Sequence, residues 1–423
     1  MLLSVLLLLM IISQTESGYY GAVLSYTTKD VQGDRFTVVE RFKLSFSSCE
    51  ETDSWSCSGC TNEIDEIRVE WCLGEFTDTK KLTSADFASY WTGWVVGTWI
   101  DNRNDASNVQ AMMLRELRKR SDINRTNSSP QTSIIPVLRV PSNCQRKIDL
   151  LTFDPNGDHV GCRYAVDIQE CHTCTPPPVL SLSSSCSLSF SPTSSSDEGS
   201  YAVQLVMEDF PSQTIIMTYY DGSTWSISPS SSMSRIPVQF VFKVDPAAPS
   251  CTAGEYLPRF LPPTPEHGAQ FFINVNETIE INIRAEATQS VITELLFSGP
   301  IKMIKSSSGS GYFTLRWRPS AIDDEESHPI CFVVQANASS SIYQSEFRCV
   351  IVTVGNVPSM EPTSPPPKTS RLTVLKLKIS TTLSLKDNKD EIEKAIKDEL
   401  IRRGLPPDIK VRLLSHGSVK VNN

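Results

Sequence analysis

Alternation of apolar and polar residues dominates the chain from Phe42 to Val354. Each alternating stretch lasts about five to eight positions and ends in a cluster of Ser, Gly, Pro or Asp, which is the pattern of half-buried antiparallel strands. Helical periodicity is nearly absent before residue 387. The sequence therefore predicts a mainly β fold, built of tandem antiparallel β-sandwich modules with a small C-terminal β-α-β unit.

The first residues predict the compartment of the protein. Residues 2–12 form the apolar run LLSVLLLLMII, which the polar stretch 13–17 follows. The run is too short for a bilayer, which takes about 20 residues, and the small residues Thr15 and Ser17 suit a cleavage site before Gly18. We therefore expect residues 1–17 to be a signal peptide and the mature protein to be secreted and extracellular.

Cysteine content limits the fold further, because the 423 residues include twelve cysteines. Outside the cell they are expected to form disulfide bonds. Cys331 and Cys349 lie on two predicted strands that a turn-rich connection joins, and we predict that these two are bridged. The partners of the others stay open, namely Cys49, Cys57, Cys60, Cys72, Cys144, Cys162, Cys171, Cys174, Cys186 and Cys251.

Surface signals agree with export. Four N-x-Ser/Thr sequons predict N-glycosylation at Asn124, Asn127, Asn276 and Asn337. The net charge of −9 is mild for this length and no block of like charge stands out, so we expect no nucleic-acid partner. A second long apolar stretch is not seen, so no membrane span is expected.

Composition divides the mature chain into five segments. Ile279, Ile281 and Ile283 alternate with polar residues in the most regular segment, which has about seven predicted strands. A similar plan about 110 residues earlier suggests duplicated modules. The segments are a cysteine-containing β-rich domain at 18–130, sandwiches at 131–250 and 251–356, a Pro-rich linker at 357–370 and the β-α-β unit at 371–423.

An aromatic cluster lies in the first segment, and it has two interpretations. We expect its members to close the core of the domain, because large aromatic residues dominate burial in small sandwiches. The alternative is an exposed aromatic binding surface. The cluster comprises Tyr90, Trp91, Trp94 and Trp99.

The metal candidates are acidic turns. Asp154, Asn156 and Asp158 could supply oxygen ligands to calcium, which prefers six to eight oxygens, but Asx side chains in such turns also bond their own backbone. The acidic run 323–326 could add ligands or form a solvated turn. No cofactor is expected other than a possible calcium ion.

Three further motifs have simpler interpretations. The C-x-x-C pairs at 57–60 and 171–174 could serve redox chemistry or zinc, and disulfide use is favoured. The basic run 118–120 could be a processing site or a heparin contact, and simple exposure is favoured. We find no hydrolase signature around the five histidines, so the expectation is that the chain is not an enzyme.

Two stretches of the sequence resemble known extracellular repeats. The residues 154–158, 162–164 and 199–203 make the second segment similar to cadherin-like, dystroglycan-type repeats. The segment from Cys251, with Pro262–Gly268 before its first long strand, resembles immunoglobulin-like repeats of adhesion and matrix proteins. The whole chain is similar to uncharacterised secreted proteins of fish and invertebrates, and its last 50 or so residues resemble half of a SEA-type module.

Two functions follow as hypotheses. The first is a secreted, disulfide-bonded glycoprotein that binds an extracellular protein or glycan, as an adhesion or extracellular-matrix component, through loops at the ends of its sandwiches. The second is a structural or assembly protein that self-associates through the C-terminal β-α-β unit, since so small a unit is not stable alone.

Overall fold

The computed structural model describes residues 18–32, 35–50, 61–65, 71–309, 311–355, 393–395, 397–398, 410–414 and 418–422. The chain divides into two compact units, Met1–Val357 and Pro358–Asn423. The predicted signal peptide and Pro-rich linker lie outside the described residues. The described part consists of several antiparallel sheets, which confirms the mainly β fold.

Among the described residues, sixteen strands precede residue 250. They are β1 (Tyr19–Gln32), β2 (Arg35–Phe46), β3 (Thr61–Asp65), β4 (Cys72–Thr83), β5 (Ser89–Thr98), β6 (Asn108–Glu116), β7 (Lys119–Arg120), β8 (Val137–Pro141), β9 (Arg146–Asp149), β10 (His159–Tyr164), β11 (Leu180–Leu182), β12 (Ser187–Phe190), β13 (Gly199–Phe210), β14 (Ile215–Thr218), β15 (Thr224–Ile227) and β16 (Arg235–Asp245). Short 3₁₀ helices lie at Ser84–Asp86 and Ser195–Asp197.

Ten of these strands form one large sheet, in the order β10-β13-β16-β1-β2-β4-β3, with β5, β6 and β8 attached. Strand β16 pairs antiparallel with β13 along its length, antiparallel with β1 at Val238 and Gln239, and parallel with β8 from Val241 to Asp245. The sheet therefore includes strands from both sides of residue 130, the expected domain boundary.

Two small sheets complete this part of the fold. The β11-β12-β9 sheet contributes Ile148, Leu188 and Phe190 to the core of the large sheet, and the ring of Phe190 lies 5.6 Å from that of Phe242. The β15-β14-β7 sheet has its own cluster of buried side chains, which includes Met217.

Residues 251–355 form a sandwich of nine strands. These are β17 (Arg259–Leu261), β18 (Ala269–Ile273), β19 (Ile279–Glu286), β20 (Val291–Ser298), β21 (Ile304–Gly309), β22 (Tyr312–Trp317), β23 (Ser327–Ala338), β24 (Ser341–Gln344) and β25 (Arg348–Val354), with a 3₁₀ helix at Ala321–Asp323. The sheet β17-β19-β22-β21 faces the sheet β18-β25-β23-β20, and β24 extends the second. The expected alternation is present, because Ile279, Ile281 and Ile283 are buried. The estimate of about seven strands was too low, since short edge strands such as β24 carry little sequence signal.

The sandwich packs against the large sheet through a network of buried charges. Arg41 of β2 donates to Glu326 from Nε and Nη2, at 2.9 and 2.6 Å, and to Glu75 from Nη1 at 2.8 Å. Lys29 donates to Glu326 at 2.8 Å, and Lys43 donates to the carbonyl oxygen of Gly299 at 2.8 Å. The face of β2 that alternation predicts to be in water is therefore covered.

His328 lies beside this network. It is 4% exposed and its ring lies 4.7 Å from that of Trp317. Burial holds the pKa of His328 well below its usual range, and the cationic side chains of Arg41, Lys43 and Lys29 lower it further. Oδ1 of Asp323 lies 3.6 Å from Nε2 of His328. The folded protein therefore keeps His328 neutral.

The C-terminal unit is described in part. Residues 393–395 and 397–398 are helical, and β26 (Lys410–Leu414) pairs antiparallel with β27 (Ser418–Asn422). The helix and the strand near 409–413 agree with the predicted β-α-β unit. The hairpin partner β27 was not predicted, and the expected strand near 375–379 lies outside the described residues.

We expect Arg41→Met to lower the free energy of unfolding by about 3 kcal/mol, because it leaves the buried carboxylate of Glu326 with one cationic partner fewer. Arg316→Met is the matched control, since Arg316 pairs with Glu280 in the open, at 59% and 47% side-chain exposure, and such pairs contribute less than about 1 kcal/mol. Urea unfolding measures both variants, and equal losses would contradict the interpretation.

A second prediction concerns pH. Because the folded-state pKa of His328 lies below the unfolded value of about 6.5, only the unfolded chain takes up this proton as pH falls below about 6.5. The contribution of neutral His328 to the free energy of unfolding is therefore fully present above about pH 6.5. Below that pH it decreases by up to about 1.4 kcal/mol per pH unit. His328→Phe should remove this part of the loss of stability in acid, whereas His172→Gln, at an exposed histidine, should not. The free energy of unfolding, measured by urea titration at several acid pH values, tests this. The same dependence on pH in both variants would refute the prediction.

Candidate functional site

The tight turn 154–158 precedes β10 and has the conformation of an Asx turn. Oδ1 of Asp154 accepts the backbone N–H groups of Asn156 and Asp158, at 2.8 and 3.2 Å. The N–H of Gly157 donates to the carbonyl oxygen of Asp154 at 3.1 Å, and Gly157 has a φ of 80°, which suits glycine. These bonds use only one of the two carboxylate oxygens of Asp154.

The turn brings two of its acids to a third one on the large sheet. Asp154, Asp158 and Asp209 each offer an oxygen, and these oxygens lie within 4.8 Å of one another. Asp209 lies in β13 and is fully buried, and its Oδ1 accepts the N–H and the hydroxyl of Ser234 at 2.7 and 2.6 Å. Asp154 is 9% exposed, and within the described residues its buried Oδ2 has no hydrogen-bond partner. We call these three residues the acidic cluster.

Arg120 is the cation beside the acidic cluster. Its guanidinium binds both oxygens of Asp158, one of them at 2.8 Å, and donates to Asp122 at 3.1 and 2.7 Å. It also donates to Oδ1 of Asn127 at 2.5 Å. Among the residues that the structure describes, Arg120 makes no ion pair with Asp154 or Asp209.

Electrostatics reflect this uneven compensation. Burial raises the pKa of Asp154 well above its ordinary value, and the carboxylates of Asp209 and Asp158 raise it further. Burial also raises the pKa of Asp209, although the hydrogen bonds from Ser234 and Asn127 oppose the shift. The cluster therefore has more negative charge than its protein surroundings compensate.

The other candidate ligand residues make hydrogen bonds or ion pairs of their own. The side-chain oxygen of Asn156 accepts the N–H of Ser128 at 2.8 Å. The run 323–326 is divided, since Asp324 and Glu325 are exposed, whereas Glu326 is 2% exposed and binds Lys29 and Arg41. Asp323 instead caps its own 3₁₀ helix, where its Oδ2 accepts the N–H of Ser320 at 2.8 Å.

Sequence reasoning missed Asp209 because it lies in a strand about 50 residues from the turn. The available signal is the pair Glu208-Asp209 at the end of an otherwise apolar strand. Two adjacent acids point to opposite faces of a strand, so one carboxylate must face the core. A buried carboxylate requires partners, and Ser234 and Asn127 supply those of Asp209.

The basic run 118–120 is not exposed, which corrects the favoured interpretation. Arg118 and Arg120 are 8% and 1% exposed. Arg118 donates to Glu116 at 2.8 Å and to the hydroxyl of Tyr219 at 2.9 Å, and its guanidinium lies 4.9 Å from the centre of that ring. A processing enzyme or heparin cannot reach side chains buried in this way.

The sequons occupy different environments. Asn124, Asn276 and Asn337 are exposed, whereas Asn127 is fully buried. Nδ2 of Asn127, the atom that would carry a glycan, donates to Oδ2 of Asp209 at 2.6 Å. A glycan at Asn127 is therefore incompatible with this fold.

All cysteines in the described part of the chain are in disulfide bonds. Cys331 and Cys349 face each other on β23 and β25 and are bridged, as the sequence analysis expected of this pair. The bridge Cys171–Cys174 closes one C-x-x-C motif, so these sulfurs do not serve as zinc ligands here; the motif at 57–60 lies outside the described residues. The other bridges are Cys49–Cys72, Cys144–Cys251 and Cys162–Cys186.

The aromatic cluster is only partly in the core. Trp99 is 3% exposed and packs edge-on against Tyr19, at 4.8 Å between ring centres. Tyr90 is 37% exposed and lies under the guanidinium of Arg115, 4.3 Å from its ring centre. Trp91 is half-buried, and the side chain of Trp94 lies outside the described part.

A different pair of aromatic residues is exposed, on the hairpin of β14 and β15. Tyr220 and Trp225 are 64% and 62% exposed. The turn between the strands is closed by the bond from the N–H of Tyr219 to the carbonyl oxygen of Ser223, at 2.9 Å. Because the Tyr219 hydroxyl accepts from the buried Arg118, the exposed rings sit on an anchored support.

In the part of the chain that the structure describes, none of the helices has the length and hydrophobicity required to cross a lipid bilayer.

Comparison with known proteins yields only distant structural similarity. No family model and no curated protein matches the chain. An endo-fucoidan hydrolase of glycoside hydrolase family 107 matches 71% of this chain, which spans 38% of that enzyme, at 11% identity and a TM-score of 0.19. The EC1-2 region of human protocadherin-24 matches at 9% identity, with 55% and 100% coverage and a TM-score of 0.18. The sialic acid binding region of a Streptococcus sanguinis adhesin matches at 12%, with 94% and 92% coverage and a TM-score of 0.18.

The presence of a glycoside hydrolase among these matches overturns the expectation that the chain is not an enzyme, and that expectation is withdrawn. A TM-score of 0.19 assigns no activity to the chain.

We predict that glycopeptide mapping of the secreted product finds sugar at exposed sequons and none at Asn127. Asn127→Gln should leave the glycan mass unchanged and lower stability by about 1–3 kcal/mol, because Asp209 and Arg120 lose a buried partner. Asn276→Gln is the control, and it should remove one glycan with little change in stability. Loss of a glycan in Asn127→Gln would contradict the burial of this side chain.

Proposed function

We propose that this protein is exported and acts outside the cell as a disulfide-bonded glycoprotein that binds an extracellular protein or glycan, in adhesion or in the matrix. The observation that carries the proposal is the complete pairing of the described cysteines in five bridges. Such bridges persist in oxidising compartments and are rare in the cytosol. The apolar leader at residues 2–12 supports the same compartment.

The bridges also support a role in binding, because they stiffen the frame around the loops. Cys144–Cys251 joins chain segments 107 residues apart, at the predicted boundary between the two sandwiches. Arg139 and Gln344 reinforce this contact, since the N–H of Arg139 donates to the Gln344 side chain at 2.9 Å. A frame held in this way loses little conformational entropy when its surface meets a partner.

The exposed aromatic hairpin is the contact surface that we favour. Tyrosine and tryptophan offer large areas at a low entropy cost and are enriched in interfaces. Tyr220 follows the anchored Tyr219 and Trp225 lies opposite Met217 on the paired strand β15, so a partner would meet them in a largely preformed arrangement. We assign binding to this hairpin within the proposed function.

Assembly through the C-terminal unit is the second candidate. Within the described residues, β26 and β27 pair only with each other. An isolated two-stranded hairpin is marginally stable, and open strand edges pair readily with other strands. A second copy of this unit would satisfy such edges.

We expect full-length protein expressed with its leader to reach the medium with the five bridges found here. In a cell- or matrix-binding assay, Tyr220→Ala with Trp225→Ala should weaken binding at least about tenfold, since central aromatic contacts contribute about 2 kcal/mol or more. Phe272→Ala is the control, because Phe272 is an aromatic residue of 55% exposure on another strand. Reduced cysteines in a cytosolic product would refute the proposal.

Deletion of residues 357–423 separates the two candidates in the same experiment. If the deleted protein still binds and sizing shows the same number of copies per particle, recognition by the sandwiches is favoured. Loss of self-association together with loss of binding favours assembly.

A further inference from the structure

We propose that Asp154, Asp158 and Asp209 bind a divalent cation through their carboxylate oxygens, and that calcium fits this site better than magnesium. The inference does not depend on the proposed binding function, since it concerns a site within the fold. It differs from the turn-based expectation in its ligands, because Asp209 of β13 takes the place of Asn156.

The spacing of the oxygens suits one shared ion. Oxygens bound to a calcium ion lie about 2.3–2.6 Å from it, so oxygens on opposite sides of the ion are about 5 Å apart. The three carboxylates offer oxygens within 4.8 Å of one another. A single cation can therefore contact all three without a change of the backbone.

One of the residues of the acidic cluster has an unpartnered buried atom. Oδ2 of Asp154 is buried and has no hydrogen-bond partner among the described residues, although the residue is only 9% exposed. A buried polar atom without a partner costs about 1–3 kcal/mol, and more when it is charged. The Asx turn already uses the other oxygen of Asp154, so a bound cation would give Oδ2 the partner that it lacks among the described residues.

The negative charge of the surrounding carboxylates indicates that the ligand is a cation. Arg120 pairs with Asp122 and Asp158, and Asp158 has the carboxylates of Asp154 and Asp209 as neighbours. Arg120 is oriented toward Asp122, Asp158 and Asn127, so it leaves the Asp154–Asp209 side without a counter-ion. A divalent cation there supplies the charge that the protein lacks.

The support of each carboxylate favours calcium. Asp209 is held by two bonds from Ser234, Asp154 by its own turn, and Asp158 by Arg120. Magnesium demands near-octahedral geometry at about 2.0–2.1 Å, whereas calcium accepts irregular sets of six to eight oxygens. Carboxylates that are fixed from three directions suit the larger, less demanding ion, and water can complete its shell.

Binding would connect two parts of the chain that are distant in sequence. Asp209 belongs to the large sheet, Asp154 and Asp158 to the turn before β10, and Asn127 links Asp209 to Arg120. The ion would therefore tie the turn to the sheet and stabilise the folded chain, because it binds that state and not the unfolded one.

The experiment uses full-length folded protein, treated with a chelator and then titrated separately with calcium and magnesium. We expect a saturable rise of the melting temperature and binding heat with calcium, with a dissociation constant on the order of 10⁻⁴–10⁻³ M, and a weaker response to magnesium. Identical melting curves in chelator and in calcium, with no binding heat, would overturn the site. An equal response to magnesium would overturn the preference.

Two variants locate the ion. Asp154→Asn keeps the turn, because the amide oxygen still accepts the two N–H groups, and its NH₂ group can donate to Asp209. In chelator this variant should be at least as stable as the unmodified protein, whereas its calcium affinity should fall at least about tenfold, as expected when a ligand charge is lost. Asp101→Asn, at an exposed acid, should keep the full calcium response. An unchanged response in Asp154→Asn would place the ion elsewhere and refute the assignment.

Discussion

Strand β16 is the constraint on which the large sheet depends, because other strands use both of its edges. It pairs with β13 through ten residues on one side and with β1 and β8 on the other. Phe240 and Phe242 of this strand are fully buried. A strand in this position cannot shift its register without exposing these side chains and breaking pairs on both edges. The two segments on either side of residue 130 are therefore held in one sheet.

Buried charge pairs stabilise the rest of the architecture only as complete sets. Arg115 with Glu40, Arg41 with Glu326, and Arg120 with Asp158 are all largely removed from water. Removal of charged groups from water costs free energy. The attraction between the paired charges offsets this cost only when their remaining hydrogen bonds are also made. Within the described residues, the acidic cluster combines three neighbouring carboxylates with an unpartnered buried oxygen, which is why it stands out as a site among many ion pairs.

Prediction from sequence was successful where one face of a strand was in water. In β19, Ile279, Ile281 and Ile283 are buried and Glu280 and Asn282 are exposed, as alternation requires. In β2 the same pattern misled, because Arg41 and Lys43 lie under the sandwich and bind its acidic loop and backbone. Pairing between strands distant in sequence, such as β1 with β16, leaves no local signal.

By itself, the sequence determined the mainly β class, the regular alternating strands such as β19 and the acidic turn at 154–158, because alternation and turn chemistry act over a few neighbouring residues. Tertiary structure alone decided that strands across residue 130 share a sheet, that Asn127 and Arg120 are buried, and that Asp209 meets Asp154 and Asp158. These outcomes depend on contacts between residues about 40 to 220 positions apart, whose free energy exists only once the sheets have packed together.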